Sequence, residues 1–328
     1  MKPPLVIITG PNASGKSELA VRLARRFDGE IVSADSRQVY RGLDIGTGKI
    51  TRRGMRGIPH HCLDIASPRR TVSVAEFQQR AERTIADILR RGRIPFLVGG
   101  TGFWIDAVAQ GMTLPDVPPN PKLRKRLSRK SARNLLAILR RLDPRRPKTI
   151  EQKNPRRLIR AIEIAKALGR IPRLTRSYPY NILWIGVQRT PEEVRGRIRK
   201  RLAARFAAGM VGEARRLRER GLSWKRFHEL GLEYRFLADY LRGRITRREC
   251  AARIERANND YARRQMVWWK QRNELTWVRN EREAAAAIRQ WLRQHRLSHE
   301  ERNEFAKPAG KSEHRAERPP RTRRSGRG

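Results

Sequence analysis

Acidic residues and cysteines are scarce in this chain, and long apolar runs are missing. Only 32 Asp and Glu stand against 76 Lys and Arg, giving a formal net charge of +44 over 328 residues. An imbalance of that size exceeds what solubility requires and points to a polyanionic partner, nucleic acid first. Much of the excess is arginine spread along the whole chain. The two cysteines, Cys62 and Cys250, lie far apart, which excludes a disulfide framework and a Cys/His zinc cluster. No run of 18 apolar residues occurs, so no spanning helix and no membrane partner are expected. The chain passes from Lys2-Pro3-Pro4 straight into an apolar segment without a leader pattern, and a reducing, cytoplasmic setting is the expectation.

What is present begins with Gly10-Pro11-Asn12-Ala13-Ser14-Gly15-Lys16-Ser17, between the apolar run Leu5-Val6-Ile7-Ile8 and a helical pattern over residues 18–27. This is G-x-x-x-x-G-K-[ST] in its strand–loop–helix setting. Small residues let consecutive amides face phosphate oxygens, with the positive end of a helix behind them. Lys16 is placed to reach a terminal phosphate and the Ser17 hydroxyl to hold Mg²⁺. The loop by itself does not separate ATP or GTP from any other pyrophosphate ester.

Residues 30–33 read as a second strand, ending in Ala34-Asp35-Ser36-Arg37-Gln38. Side chains at the carboxyl ends of strands in a doubly wound sheet face the ligand crevice. Asp35 therefore lies beside the phosphate loop, although Asp-Ser also caps turns and the pattern does not choose between the two. A further strand is expected over residues 58–65, with His60 and His61 at its entrance. Adjacent histidines point to opposite faces of an extended chain, so a structural or substrate-contact role is favoured over metal binding. Ser73 with Glu76 opens an amphipathic helix that Gly92 ends, and Ile94-Pro95-Phe96-Leu97-Val98 is a buried strand closing in Gly99-Gly100-Thr101-Gly102. That strand end has no aspartate to organise Mg²⁺ and water, which weakens a motor or GTPase reading.

A proline cluster over residues 114–121 opens a basic insert, with helices expected over 123–133, 132–142 and 155–168. Arg156, Arg157 and Arg160 present either a phosphate-gripping face or an ordinary solvated one. A core strand returns at residues 181–187, and Thr190-Pro191 starts a helix carrying Arg197, Arg201 and Arg205 at four-residue spacing, a continuous positive ridge. Helices follow over 211–219, 234–241 and 247–269. The segment Tyr261-Ala262-Arg263-Arg264-Gln265-Met266-Val267-Trp268-Trp269 interleaves basic and aromatic groups, suited either to stacking bases or to the core.

Taken together, residues 10–17, Ser33-Ala34-Asp35-Ser36-Arg37-Gln38-Val39-Tyr40, Asp44-Ile45-Gly46-Thr47, His60-His61-Cys62-Leu63-Asp64-Ile65, Val98-Gly99-Gly100-Thr101-Gly102, Arg157 to Glu163 and Tyr261-Ala262-Arg263-Arg264-Gln265 resemble, in order, the tRNA dimethylallyltransferases. The resemblance implies transfer of a five-carbon allyl group from dimethylallyl pyrophosphate to the exocyclic amine of the adenine just 3′ of the anticodon. It implies Mg²⁺ as cofactor, the tRNA anticodon stem-loop as partner and a monomer. By the same resemblance Asp35, Thr101 and Arg201 are catalytic; Gly10, Pro11, Asn12, Ala13, Ser14, Gly15, Lys16 and Ser17 bind pyrophosphate; and Asp35, Ser36, Arg37, Gln38, Thr101, Arg156, Arg157 and Arg160 contact tRNA.

The expected fold class is α/β, a P-loop NTPase-like parallel sheet flanked by helices, with an inserted all-helical domain and a helical C-terminal part. The expected division is 1–116 and 181–297 for the core, 117–180 for the tRNA-binding insert, and 298–328 for a basic disordered tail. A P-loop small-molecule or nucleotide kinase is the alternative enzyme, and a noncatalytic RNA-binding protein is the alternative outside catalysis.

Overall fold

The computed structural model describes residues 2–295. The tail expected from residue 298 lies outside the described residues. The apolar runs became six parallel strands, β1 (Pro4–Thr9), β2 (Gly29–Ala34), β3 (His60–His61), β4 (Ile94–Gly99), β5 (Asn181–Val187) and β6 (Leu275–Val278), in the order β3-β2-β4-β1-β5-β6. Every residue of β1, β2 and β4 is buried, because helices cover both faces of a parallel sheet. One face carries α1 (Lys16–Arg26) and α13 (Glu281–Gln294). The other carries α3 (Val74–Arg90), α4 (Gly102–Ala109) and the group α8 (Pro191–Ala207), α9 (Met210–Glu219), α10 (Trp224–Leu230), α11 (Leu232–Leu241) and α12 (Arg247–Lys270). The chain leaves β1, skips the neighbouring position for β2 and returns to fill it with β4. That reversal opens a crevice at the carboxyl ends of β1 and β4.

Local signals explain most boundaries. The Ser73 hydroxyl accepts from the Glu76 amide (3.1 Å) at the start of α3. Thr190 and Glu193 form a reciprocal capping box on α8 (3.2 and 2.7 Å). Two expectations change. The strand expected over 58–65 is two residues long, because Cys62 and Asp64 adopt left-handed backbone conformations (φ 63° and 55°) and the Asp64 amide turns to the Gln38 carbonyl. The helix expected over 123–133 is shorter, α5 (Pro121–Leu127), because Ser131 caps the next one, α6 (Ala132–Leu142), at the bounds expected for it, through the Asn134 amide (3.2 Å). Sequence reading also missed α2 (Arg52–Met55), α4, α10, β6 and α13. The insert, α5, α6 and α7 (Pro155–Leu168), packs its own small core of Leu127, Leu135, Leu139, Leu158, Ala161 and Ile162.

Candidate active site

The phosphate loop leaves β1 and enters α1 through positive φ at Gly10 (145°), Ala13 (62°) and Gly15 (95°). Gly10 has a second reason to lack a side chain, since a Cβ there would stand 3.0 Å from the Val187 carbonyl oxygen. Because α1 begins at Lys16, its first amides have no intrahelical acceptor and face the crevice with the positive end of the helix dipole. The Lys16 ammonium rests against the Pro11 carbonyl (3.3 Å), and the buried Ser14 hydroxyl has no partner among the described residues.

Residues far along the chain hold this loop in place. Gln265 of α12 accepts from the Asn12 amide (2.7 Å) and donates to the Gly100 carbonyl (2.9 Å), so one buried side chain ties the phosphate loop to the turn after β4. A Cβ on Gly100 would occupy the place of the Gln265 amide nitrogen. The Asn12 side chain donates to Asn258 (2.5 Å), which donates to Glu233 (3.1 Å), which accepts from Arg205 (3.0 Å). Sequence reading gave Gln265 and Asn258 no role in the loop. Their positions on α12 carry no local signal for it.

The expected ridge on α8 resolves into three separate tasks. Arg197 donates to the Ala13 carbonyl (2.7 Å) and braces the loop. Arg205 pairs with Glu233 and reaches the carbonyls of Gly46 (3.3 Å) and Thr47 (3.5 Å). Arg201, between them, lines the cavity and makes no hydrogen bond or ion pair among the described residues. Burial, with Arg205 next, pushes its pKa down to about 10. Burial likewise pushes Lys16 down to about 8, opposed by Asp35 and reinforced by Arg201. Two cations are thus held beside each other without a full countercharge.

Asp35 follows β2 directly, and Ile31, Ser33 and Asp35 share the face toward α1. Both sequence readings of Asp35 apply. Its carboxylate accepts from the Arg37 amide (2.9 Å), an Asx turn, and it also lines the cavity with Lys16 and Arg201. Thr101 accepts from the Ser36 amide (3.2 Å) and lies 3.4 Å from the Ser36 hydroxyl. On α12, burial with Asp35 nearby raises the pKa of Tyr261 to about 12. The cavity these residues share has a volume of about 450 Å³. A larger one, about 880 Å³, lies across Pro11 between the start of α8 and α12, and neither Asp35, Lys16 nor Arg201 lines it.

The remaining expected residues divide. Ser36, Arg37 and Gln38 are half-buried beside the cavity, and Gln38 lines it. Arg156, Arg157 and Arg160 stay on the insert and do not line the cavity: Arg157 pairs with Glu151 (3.2 Å), while Arg160 donates to the Val117 carbonyl (2.9 Å). His61 bonds Glu30 (2.6 Å) within an Arg91–Arg93 network away from the crevice, and His60 lines the cavity, so the pair does point apart. In the aromatic stretch Trp269 is core, whereas Trp268 bonds Asp106 (3.1 Å) and is partly exposed. Glu213 was also missed: its carboxylate accepts from the amides of Asp44, Ile45 and Gly46 (2.9, 2.7 and 3.0 Å) and from the Tyr234 hydroxyl (2.6 Å). It holds the loop that places Thr47 and Gly48 on the cavity wall.

No group of three or more acidic, histidine or cysteine ligands with metal geometry occurs among the described residues. The donor set facing the cavity, the Ser17 hydroxyl with Asp35 nearby, fits a hard cation that keeps most of its shell as water and substrate phosphate.

The model of a protein family described as IPP transferase matches residues 38–272. This chain belongs to that family. The chain is 43% identical over 301 residues to a tRNA dimethylallyltransferase of Roseiflexus sp. (strain RS-1), covering 88% of this chain and 99% of that protein. It is 38% identical over 283 residues to a tRNA dimethylallyltransferase of Thermomicrobium roseum, covering 84% and 85% of the two chains. The crystal structure of a full-length tRNA isopentenylpyrophosphate transferase from Bacillus halodurans superposes on this chain with a TM-score of 0.67 at 34% identity, covering 93% of this chain and 99% of that one. A eukaryotic dimethylallyltransferase acting on tRNA shares the fold at 20% identity, with a TM-score of 0.71 over 94% of this chain and 81% of that one.

Proposed function

We infer that this chain is a tRNA dimethylallyltransferase, moving the dimethylallyl group of dimethylallyl pyrophosphate to the exocyclic amine of the adenine 3′ of the anticodon. The observation that carries the reading is the meeting of three elements in one cavity: a phosphate loop with Lys16, the unpaired Arg201, and the carboxylate of Asp35. A phosphate loop next to a strand end of Gly99-Gly100-Thr101 suits a pyrophosphate that leaves more than one that is hydrolysed.

In the reaction the amine nitrogen forms a bond to the allylic C1, the C1–O bond to pyrophosphate breaks, and the amine proton passes to Asp35. An adenine amine is a weak nucleophile because its lone pair is delocalised into the ring, so a carboxylate that takes the proton lowers the barrier. The leaving pyrophosphate gains negative charge, and the loop amides, Lys16 and Arg201 face the place where it develops. A Mg²⁺ ion held by Ser17 and the phosphates would add countercharge there. Thr101, held by the Ser36 amide, stands close to Asp35 to receive a hydrogen bond from the amine.

A base inside a stacked loop cannot reach Asp35, so the adenine is extruded into the cavity. Gln38 lines the cavity with Ser36 and Arg37 beside it, placed to grip the base, and Arg156, Arg157 and Arg160 on the insert are placed to meet the RNA backbone. The test is transfer of label from dimethylallyl pyrophosphate to an anticodon stem-loop RNA. ATP turnover without transfer would favour a kinase, and RNA binding with neither activity would leave only a binding protein.

A further inference from the structure

Two large aromatic side chains stay in solvent close to Thr101: Phe103 is 40% exposed and Trp268 is 38% exposed. Phe103 is the second residue of α4, whose cap is Thr101. Trp268 comes from α12 and lies so close against Gly102 that a Cβ there would meet its indole nitrogen. The indole is held in place. Its N–H donates to Asp106 (3.1 Å), a buried carboxylate that Arg272 also binds, and the Arg272 guanidinium sits 3.9 Å from the centroid of the buried Trp184 ring. Burial raises the Asp106 pKa in spite of Arg272, so anchoring the indole carries an electrostatic cost. A tryptophan that only sealed α12 against α4 would be fully buried, as Trp269 is; Trp268 is fixed and yet keeps more than a third of its surface in water. Tyr261, Arg264 and Trp268 stand at i, i+3 and i+7 of α12 and so share one of its faces. Tyr261 lies near Asp35, and the exposed Arg264 places its guanidinium 6.0 Å from the Tyr261 ring centroid.

We propose that Trp268 and Phe103, with the Arg264 guanidinium, form a platform on which the unpaired RNA base next to the extruded adenine stacks. The proposal rests on the transferase reading above, which brings the adenine to Asp35 and Thr101. A base pulled out of a loop leaves its neighbour without a stacking partner on that side, and aromatic and guanidinium planes at the protein surface replace it. The lengths agree: Tyr261 to Trp268 spans about 10 Å along α12 at 1.5 Å per residue, the rise of about three bases at 3.4 Å each. Tryptophan and phenylalanine have few rotatable bonds, and the bond to Asp106 fixes the indole further, so little side-chain entropy is lost when a base lands on it. The occupant is nucleic acid and not an apolar protein segment, because Arg263, Arg264 and Lys270 interleave the aromatic residues of α12 in a chain of net charge +44. Stacking of this kind accepts any base, so the platform positions the loop without reading its sequence.

The experiment measures direct binding of an anticodon stem-loop RNA to the unaltered protein, to Phe103→Ala and to Trp268→Leu. The RNA is used with its natural bases and with an abasic nucleotide on either side of the target adenine. On the natural RNA each variant should bind about 5- to 150-fold more weakly, the scale of one base stacked on one aromatic ring. An abasic nucleotide at the stacked position should weaken binding to the unaltered protein by a similar factor and add little further loss in the variants, because the same contact is already gone. Phe103→Ala removes an exposed ring, so the fold should hold, and it decides the matter even where Trp268→Leu, which strands Asp106, fails to fold. The proposal is overturned if Phe103→Ala binds the natural RNA as tightly as the unaltered protein does. It is also overturned if the abasic and variant losses multiply at both positions. Absence of prenyl transfer by the unaltered protein would instead overturn the transferase reading, and the binding comparison, which needs no transfer, still decides the stacking.

Discussion

Removing Arg201 should make the free protein more stable while crippling its hold on the donor. In the empty cavity its guanidinium lies near Lys16, Arg197 and Arg205, with Asp35 and Glu233 supplying only partial compensation. Its fall from the ordinary arginine value to about 10 corresponds to about 3 kcal/mol at 1.36 kcal/mol per pKa unit. The side chain keeps some contact with water, so screening brings the cost to about 1–2 kcal/mol. The folded-state pKa is below the unfolded one, so the penalty is fully present below pH 10 and disappears only at higher pH. Arg201→Met keeps the straight stem and deletes the charge. At pH 7.5 it should raise the Tm of the free protein by about 2–6 °C for a chain of this size. The same variant loses charge-assisted hydrogen bonds to pyrophosphate worth about 1.5–3 kcal/mol, a rise of about 10- to 150-fold in KM for the donor. Calorimetry with and without inorganic pyrophosphate, together with steady-state kinetics, reads both effects. Arg199→Met, an exposed site on the same helix, serves as control and should change Tm by little. A lower Tm for free Arg201→Met, or an unchanged donor KM, would refute the argument.

Lys16 should make donor capture sensitive to alkali. Its folded pKa of about 8 lies below its ordinary 10.5, so the empty site loses the ammonium as pH rises through 8, and kcat/KM for the donor should fall there. Arg201→Met, by removing a neighbouring cation, should move that falling limb to higher pH; a limb that does not move argues against the coupling. Asp35→Asn keeps the acceptor for the Arg37 amide, so RNA affinity should change less than about threefold while kcat drops about 10²- to 10⁴-fold; transfer at the normal rate would remove Asp35 as the base. Gln265→Ala leaves the Asn12 amide and Gly100 carbonyl unpaired, at a cost of about 2–4 kcal/mol in denaturant unfolding, and should lower activity. Stability equal to the parent would mean that water replaces the clamp. Glu213→Ala strips the partner from three consecutive amides and should destabilise by a similar amount, with chemical denaturation as the check.

How much of this was legible along the chain depends on the range of the interaction. The phosphate loop, the strand before it and the helix after it are written within 26 residues, because glycine conformations, apolar runs and helix starts act locally. Asp35 could be placed at a strand end for the same reason, and the two histidines were separated by simple alternation. The strand expected over 58–65 failed because left-handed Cys62 and Asp64 carry no glycine to announce them. The three α8 arginines looked alike, since spacing records only a shared helix face. Their different partners, Ala13, the open cavity and Glu233, are set by which loop each meets when α8 docks.

By itself, then, the sequence determined an α/β phosphate-loop core, its local caps and turns, and the motif order that marks the IPP transferase family. Tertiary structure alone decided that Gln265, 253 residues from Asn12, holds the phosphate loop against the turn carrying Thr101, and that Glu213 holds a loop 167 residues away at Gly46. It also decided that Arg201, among the described residues, is left unpaired beside Lys16. Periodicity and capping report only what neighbours in sequence do. Which buried polar groups meet follows from how helices pack on the sheet, and no local pattern records it.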